Sequence, residues 1–127
     1  MNEDFVTYEL AVKLKEKGLN IPFYFFYRSD DKLIHHAMVG KPLVYCDKID
    51  DEVVCAPTIS QVLKWLRKEK KLHIEVMFVR PLHNRAKYYI TDIDGSRGNF
   101  MDVADASYKT YEQAALAGIE YVLDNLI

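Results

Sequence analysis

Two cysteines, Cys46 and Cys55, and four histidines, His35, His36, His73 and His83, carry the most reactive side chains of this chain. A thiolate beside an imidazole makes a nucleophilic pair, so a small Cys/His enzyme is one reading. The same residues with Asp47 or Asp51 are the types that bind zinc. Their spacing demands neither chemistry. Cys46 and Cys55 fit no common zinc pattern. His35 and His36 are adjacent, so on a strand they point to opposite faces and do not share one metal easily. Two cysteines are too few for a secreted disulfide scaffold, and reduced thiols in a cytosolic protein are the expectation. The segment from Thr91 to Ser96, TDIDGS, opens like a calcium loop. It lacks the third oxygen ligand and the closing bidentate glutamate, and reads as a hairpin turn. No phosphate loop, dinucleotide fingerprint, nucleophile elbow or HExxH is present. No catalytic, cofactor-binding or metal residue is therefore assigned, no cofactor is expected, and the reading leans away from an enzyme.

The other chemical feature is a row of cations, Lys64, Arg67, Lys68 and Lys71, on one arc of a predicted helix. Such a row suits the negative end of a helix dipole and reads first as a solvated face. Its second reading is an anion or nucleic-acid surface. The net charge of −2 argues against a generally nucleic-acid-binding protein and leaves room for a local basic patch.

The element that carries this row runs from Ala56 to Val79, a helix leading straight into a strand. Thr58 or Ser60 is the N-cap candidate. Ile59, Val62, Leu63 and Leu66 form the apolar face, with Trp65 on its flank as a core-edge residue. After Lys71 the period becomes two. Leu72, Ile74, Val76 and Phe78 alternate with His73, Glu75, Met77 and Val79, and the end toward Val79 reads as covered on both sides.

A first helix is predicted over 4–17, ending at Gly18. It has two stripes, Val6, Leu10, Leu14 and Phe5, Tyr8, Val12, and is expected to pack on two sides. The run from Phe23 to Tyr27 is too aromatic to expose and reads as a strand covered on both faces, returned by a hairpin strand over 32–39. Leu43–Tyr45 and Val53–Cys55 are short strand candidates in an irregular segment. Strands over 86–91 and 99–103 follow. The last helix starts near Thr110, whose hydroxyl and Gln113 make a capping box. Gly118 in its middle points to close helix packing. A shift of 53 residues aligns the two helix-to-strand units, Leu10 with Leu63 and Leu19 with Leu72, and gives the order αββ–αββ–α.

With 127 residues, half of them hydrophobic, the chain reads as a single α+β domain over 1–127, an antiparallel sheet of four to five strands with three helices. No leader is visible at the acidic N-terminus, and no apolar run nears the ~20 residues that cross a bilayer, so no membrane and a cytoplasmic location are expected.

PTISQVLKWLRKEKKLHI and the ending YKTYEQAALAGIEYVLDNLI together resemble a group of small uncharacterised proteins of gut Bacteroidetes and their phages or other mobile elements. The likeness covers the first helix, the central helix and strand, and the last helix. Residues 28–56 and 80–107 carry little of it. It implies a cytoplasmic, phage-related accessory protein and brings no active-site residues. The leading functional expectation is a non-catalytic interaction module that binds a protein partner or itself. Nucleic-acid association through Lys64, Arg67, Lys68 and Lys71 ranks second, and a Cys/His enzyme third.

Overall fold

The computed structural model describes residues 5–36, 44–46, 52–79, 85–95, 101–103 and 106–127. Asp47, Asp50, Asp51 and His83, with parts of the strands expected over 32–39 and 99–103, lie outside them. Among these residues the chain is α+β, with three helices, and the strands pair antiparallel. It forms two compact units, Met1–Thr58 and Ile59–Ile127.

In the first unit, α1 spans Tyr8–Glu16. It starts later than the periodicity predicts because Thr7 is the N-cap, its hydroxyl accepting from the Leu10 amide at 3.2 Å. Phe5 is extended instead and bridges Thr58. The helix ends as its glycine predicts. Gly18 has φ +87°, its amide donates to the Lys15 carbonyl, and the Leu19 amide donates to the Leu14 carbonyl. Val6, Leu10, Ala11 and Leu14 are buried, whereas the second stripe is only half covered, Tyr8 lying edge-on to Tyr27.

The aromatic run divides. Tyr24, 51% exposed, separates β1 (Pro22–Phe23) from β2 (Phe25–Arg28). Of its residues only Tyr27 is buried, so the expected cover on both faces is absent. Tyr27 donates its hydroxyl to the Val6 carbonyl at 2.5 Å. β3 (Ile34–His36) returns on β2 through a turn in which Lys32 takes φ +57°. β4 (Val44–Tyr45) pairs with β1, and β5 (Val53–Cys55) pairs with β2 on the side away from β3.

In the second unit, α2 (Ile59–Glu69) leads into β6 (Leu72–Val79), then β7 (Arg85–Asp92), β8 (Met101–Val103) and α3 (Tyr111–Asn125). The sheet order is β6-β7-β8, with α3 over β6 and β7 and α2 against β6. Burial along β7 alternates strictly, Ala86, Tyr88, Ile90 and Asp92 facing inward. Gly118 explains how α3 comes so close. A Cβ there would stand 3.1 Å from both Ile74 Cγ2 and Tyr88 Cγ. The buried stripe of α3 is broad, with Ala114, Ala115, Gly118, Ile119, Val122 and Leu123, while Tyr111 is exposed. The Thr110 hydroxyl accepts from the Gln113 amide as a capping box requires, but the Gln113 side chain reaches past Thr110 to the Lys109 amide.

α2 leads directly into the β6–β7 pair, whereas β1 stands between α1 and the β2–β3 pair. The added pairings of β1, β4, β5 and β8 take the strands beyond the simple αββ–αββ–α order. No helix among the described residues is long and apolar enough to cross a membrane.

Candidate functional site

The two faces of α2 separate cleanly. Ile59, Val62, Leu63, Trp65 and Leu66 are buried, and Lys64, Arg67 and Lys68 are exposed. Lys71 is exposed just beyond the helix end, at φ +56°. This is a left-handed position that usually goes to glycine, so a lysine here costs about 1 kcal/mol or more in backbone strain. The four cations thus form one solvent-facing row, with Glu69 exposed beside them. Trp65 packs in the core, and the Lys70 ammonium lies 5.4 Å over its ring.

The strand that α2 feeds has an edge whose chemistry the side-chain pattern did not reveal. The Ile93 amide donates to the Lys71 carbonyl at 2.9 Å, and the β6–β7 register runs without a bulge from Leu72↔Asp92 to Val79↔Arg85. In such a ladder hydrogen-bonded and non-hydrogen-bonded pairs alternate. His73, Glu75, Met77 and Val79 therefore exchange backbone bonds with β7. The N–H and C=O groups of Leu72, Ile74, Val76 and Phe78 point the other way. The far side of β7 agrees: Ala86 exchanges both backbone bonds with Tyr108, leaving the odd-numbered residues of β7 for β6. Among the described residues no strand pairs with the outer edge of β6. The edge contains no proline or bulge, two of the devices that blunt such an edge, and Glu75 is the one carboxylate it carries. Its C-terminal end carries Met77, 47% exposed, and Phe78, 56% exposed. The periodicity predicts cover on both sides there; Met77 and Phe78 are instead exposed, although Ala86, the cross-strand partner of Phe78, is fully buried. The sequence signal for this edge was an eight-residue alternating strand with bulky apolar residues at one end.

The reactive residues of the first unit are arranged differently from the expectation of free thiols. Cys46 and Cys55 are bonded to each other, with Cα atoms 5.9 Å apart, and both are buried. His35 stacks on Phe26 at 5.5 Å, and Phe26 is the cross-strand partner of Cys55. His35 and Cys55 therefore share a sheet face with β2 between them, roughly 10 Å apart, outside proton-transfer range. His35 Nε2 instead meets Asp31 at 3.2 Å, while His36 lies edge-on to Phe25. The Leu33 amide first, with smaller help from the His35 ring and Arg28, holds the Asp31 carboxyl below its ordinary value against the opposing effect of desolvation. His73 is half exposed on β6, opposite Thr91. In TDIDGS, Thr91 and Asp92 belong to β7, and Asp92 is buried on the helix side. Among the described residues no group of three or more metal-ligating side chains comes together.

No protein-family model matches this chain, and neither a curated protein nor a solved structure matches it.

Proposed function

We propose that this chain is a small non-catalytic interaction module whose working surface is the outer edge of β6, and that its partner is a second copy of itself. The observation that carries this reading is the outward-facing row of backbone donors and acceptors at Leu72, Ile74, Val76 and Phe78, beside exposed Met77 and Phe78. Two copies of one strand can pair antiparallel about a two-fold axis, a self-complementary arrangement. Charge selects the register. An axis at Glu75 sets two carboxylates face to face in the closer, non-hydrogen-bonded type of pair. An axis at Val76 removes that clash. It sets Glu75 beside Met77 of the other copy, and Phe78 opposite Ile74. Seven of the eight positions from Leu72 to Val79 then overlap.

Light scattering over a range of concentration, at low and high salt, tests the proposal. Strand pairing with apolar cover predicts a dimer that persists in high salt. A monomer at every concentration would remove the reading.

The exposed row of Lys64, Arg67, Lys68 and Lys71 favours a second function, nucleic-acid association through α2. It predicts duplex binding that weakens steeply with salt and is lost when the four are changed to glutamine. Unchanged affinity in that variant would eliminate it. The likeness of residues 57–74 and 108–127 to the Bacteroidetes and phage group supports a cytoplasmic accessory role, derived from a phage or mobile element.

A further inference from the structure

The surroundings of the Cys46–Cys55 bond serve a thiol pair as well as they serve a disulfide. Cys46 Sγ lies 3.3 Å from the Ile21 carbonyl oxygen, and the Cys46 amide donates to the same oxygen at 3.1 Å. A thiol proton at Cys46 therefore has its acceptor in place, and reduction orphans nothing there. Cys55 is buried on β5, where a reduced cysteine behaves as a small apolar side chain. A cleft lined by Ala11, Lys15, Leu19 and Val54 includes both cysteines. Lys15 is its exposed member, an ammonium of the kind that favours the thiolate.

The bond also joins parts with unequal support. Cys55 belongs to a strand paired with β2 and packed against α1. Cys46 follows β4, whose ladder with β1 is two residues long among the described residues, and a two-stranded ribbon is marginal in water.

We infer that Cys46 and Cys55 form a reversible oxidation site, a clip that fastens the β1–β4 ribbon to the β3–β2–β5 sheet. Hydrogen peroxide closes it: the two thiols give up two protons and two electrons, one S–S bond forms, and the peroxide O–O bond breaks to yield two waters. A dithiol reductant opens it. One of its thiolates attacks a sulfur of the bond to form a mixed disulfide, and its second thiol displaces the protein thiol and leaves as a disulfide. The open state lets the Cys46 segment move off Ala11, Leu19 and Val54. This inference is independent of the β6 edge.

The test uses the intact purified chain. It is treated with dithiothreitol, or with dithiothreitol followed by removal of the reductant and an equivalent of hydrogen peroxide. Iodoacetamide then traps the thiols for mass spectrometry, and amide exchange is followed in both states. The expected result is two alkylated cysteines after reduction, none after peroxide, and about tenfold or faster exchange of the Cys46 amide in the reduced chain. Cys46→Ser keeps a hydroxyl donor for Ile21 and should reproduce the reduced pattern. If that variant does not fold, the reduced wild type carries the measurement. A bond that resists dithiothreitol in the folded chain, thiols that stay alkylatable after peroxide, cross-linking between chains, or equal Cys46 exchange in both states would each overturn the inference.

Discussion

Val76→Pro is the sharpest perturbation of the proposed self-pairing. The Val76 amide points away from β7, so proline there deletes no bond of the β6–β7 ladder, and proline is tolerated on an edge strand in that orientation. With the two-fold axis at Val76, its pair is the centre of the interface and exchanges two backbone bonds. The substitution, present in both copies, removes both donors and leaves two carbonyls without partners. At about 0.5–1.5 kcal/mol per bond the dimer loses about 1–3 kcal/mol, before any clash of the rings. Its Kd should rise about fivefold to more than a hundredfold. Sedimentation or light scattering reads the mass, and circular dichroism with thermal melting reads the fold. Met77→Pro is the contrast, because the Met77 amide bonds to β7 opposite Lys87, and it should damage the fold itself. The reasoning fails if Val76→Pro dimerises as tightly as the wild type. It fails equally if Val76→Pro unfolds as Met77→Pro does.

Three further predictions concern stability. Reducing Cys46–Cys55, which closes a loop of sequence separation 9, should lower unfolding free energy by about 2.7 kcal/mol in the chain-entropy account, read from urea titrations with and without dithiothreitol. Gly118→Val should cost about 2–3 kcal/mol by overpacking, since its side chain would meet Ile74 and Tyr88, and urea midpoints would register it. Burial first, and the Glu9 carboxylate second, hold the Tyr27 hydroxyl above its ordinary pKa. The fold thus favours the neutral phenol. Its contribution is complete below the pKa of an unfolded tyrosine, about 10, and is lost as pH rises through the higher folded value. Tyr27→Phe should lose about 1 kcal/mol at neutral pH, with the Val6 carbonyl left without its donor, and should remove that alkaline component from melting curves taken across pH 9–12.

Much of the secondary structure was legible because its signals are local. Thr110 caps the helix it precedes, Gly18 closes α1, and the switch from period 3.6 to period two at Lys71 marks the start of β6. Gly118 announced a close approach, which Ile74 and Tyr88 occupy. What was illegible depends on pairing. Nothing local says that Cys46 lies beside Cys55, or that the aromatic run breaks at Tyr24. The free edge of β6 is likewise a property of its neighbours. Hydrophobicity misled at Phe78, because an apolar residue at the end of an edge strand has the same pattern whether or not anything covers it. The exposed basic row was readable, since a helical wheel separates Lys64, Arg67 and Lys68 from Leu63 and Leu66 without tertiary information.

The chain has a single tryptophan, and it is Trp65 of α2. Its buried indole makes intrinsic fluorescence a private reporter of the Ile59–Ile127 unit, while the cysteine bond belongs wholly to Met1–Thr58. One optical signal and one chemical trigger therefore sit on different halves of the molecule. A tryptophan transition that moves when Cys46–Cys55 is reduced would mean the halves melt as one cooperative block. A transition that stays fixed would mean that each half keeps its own thermodynamic account of folding.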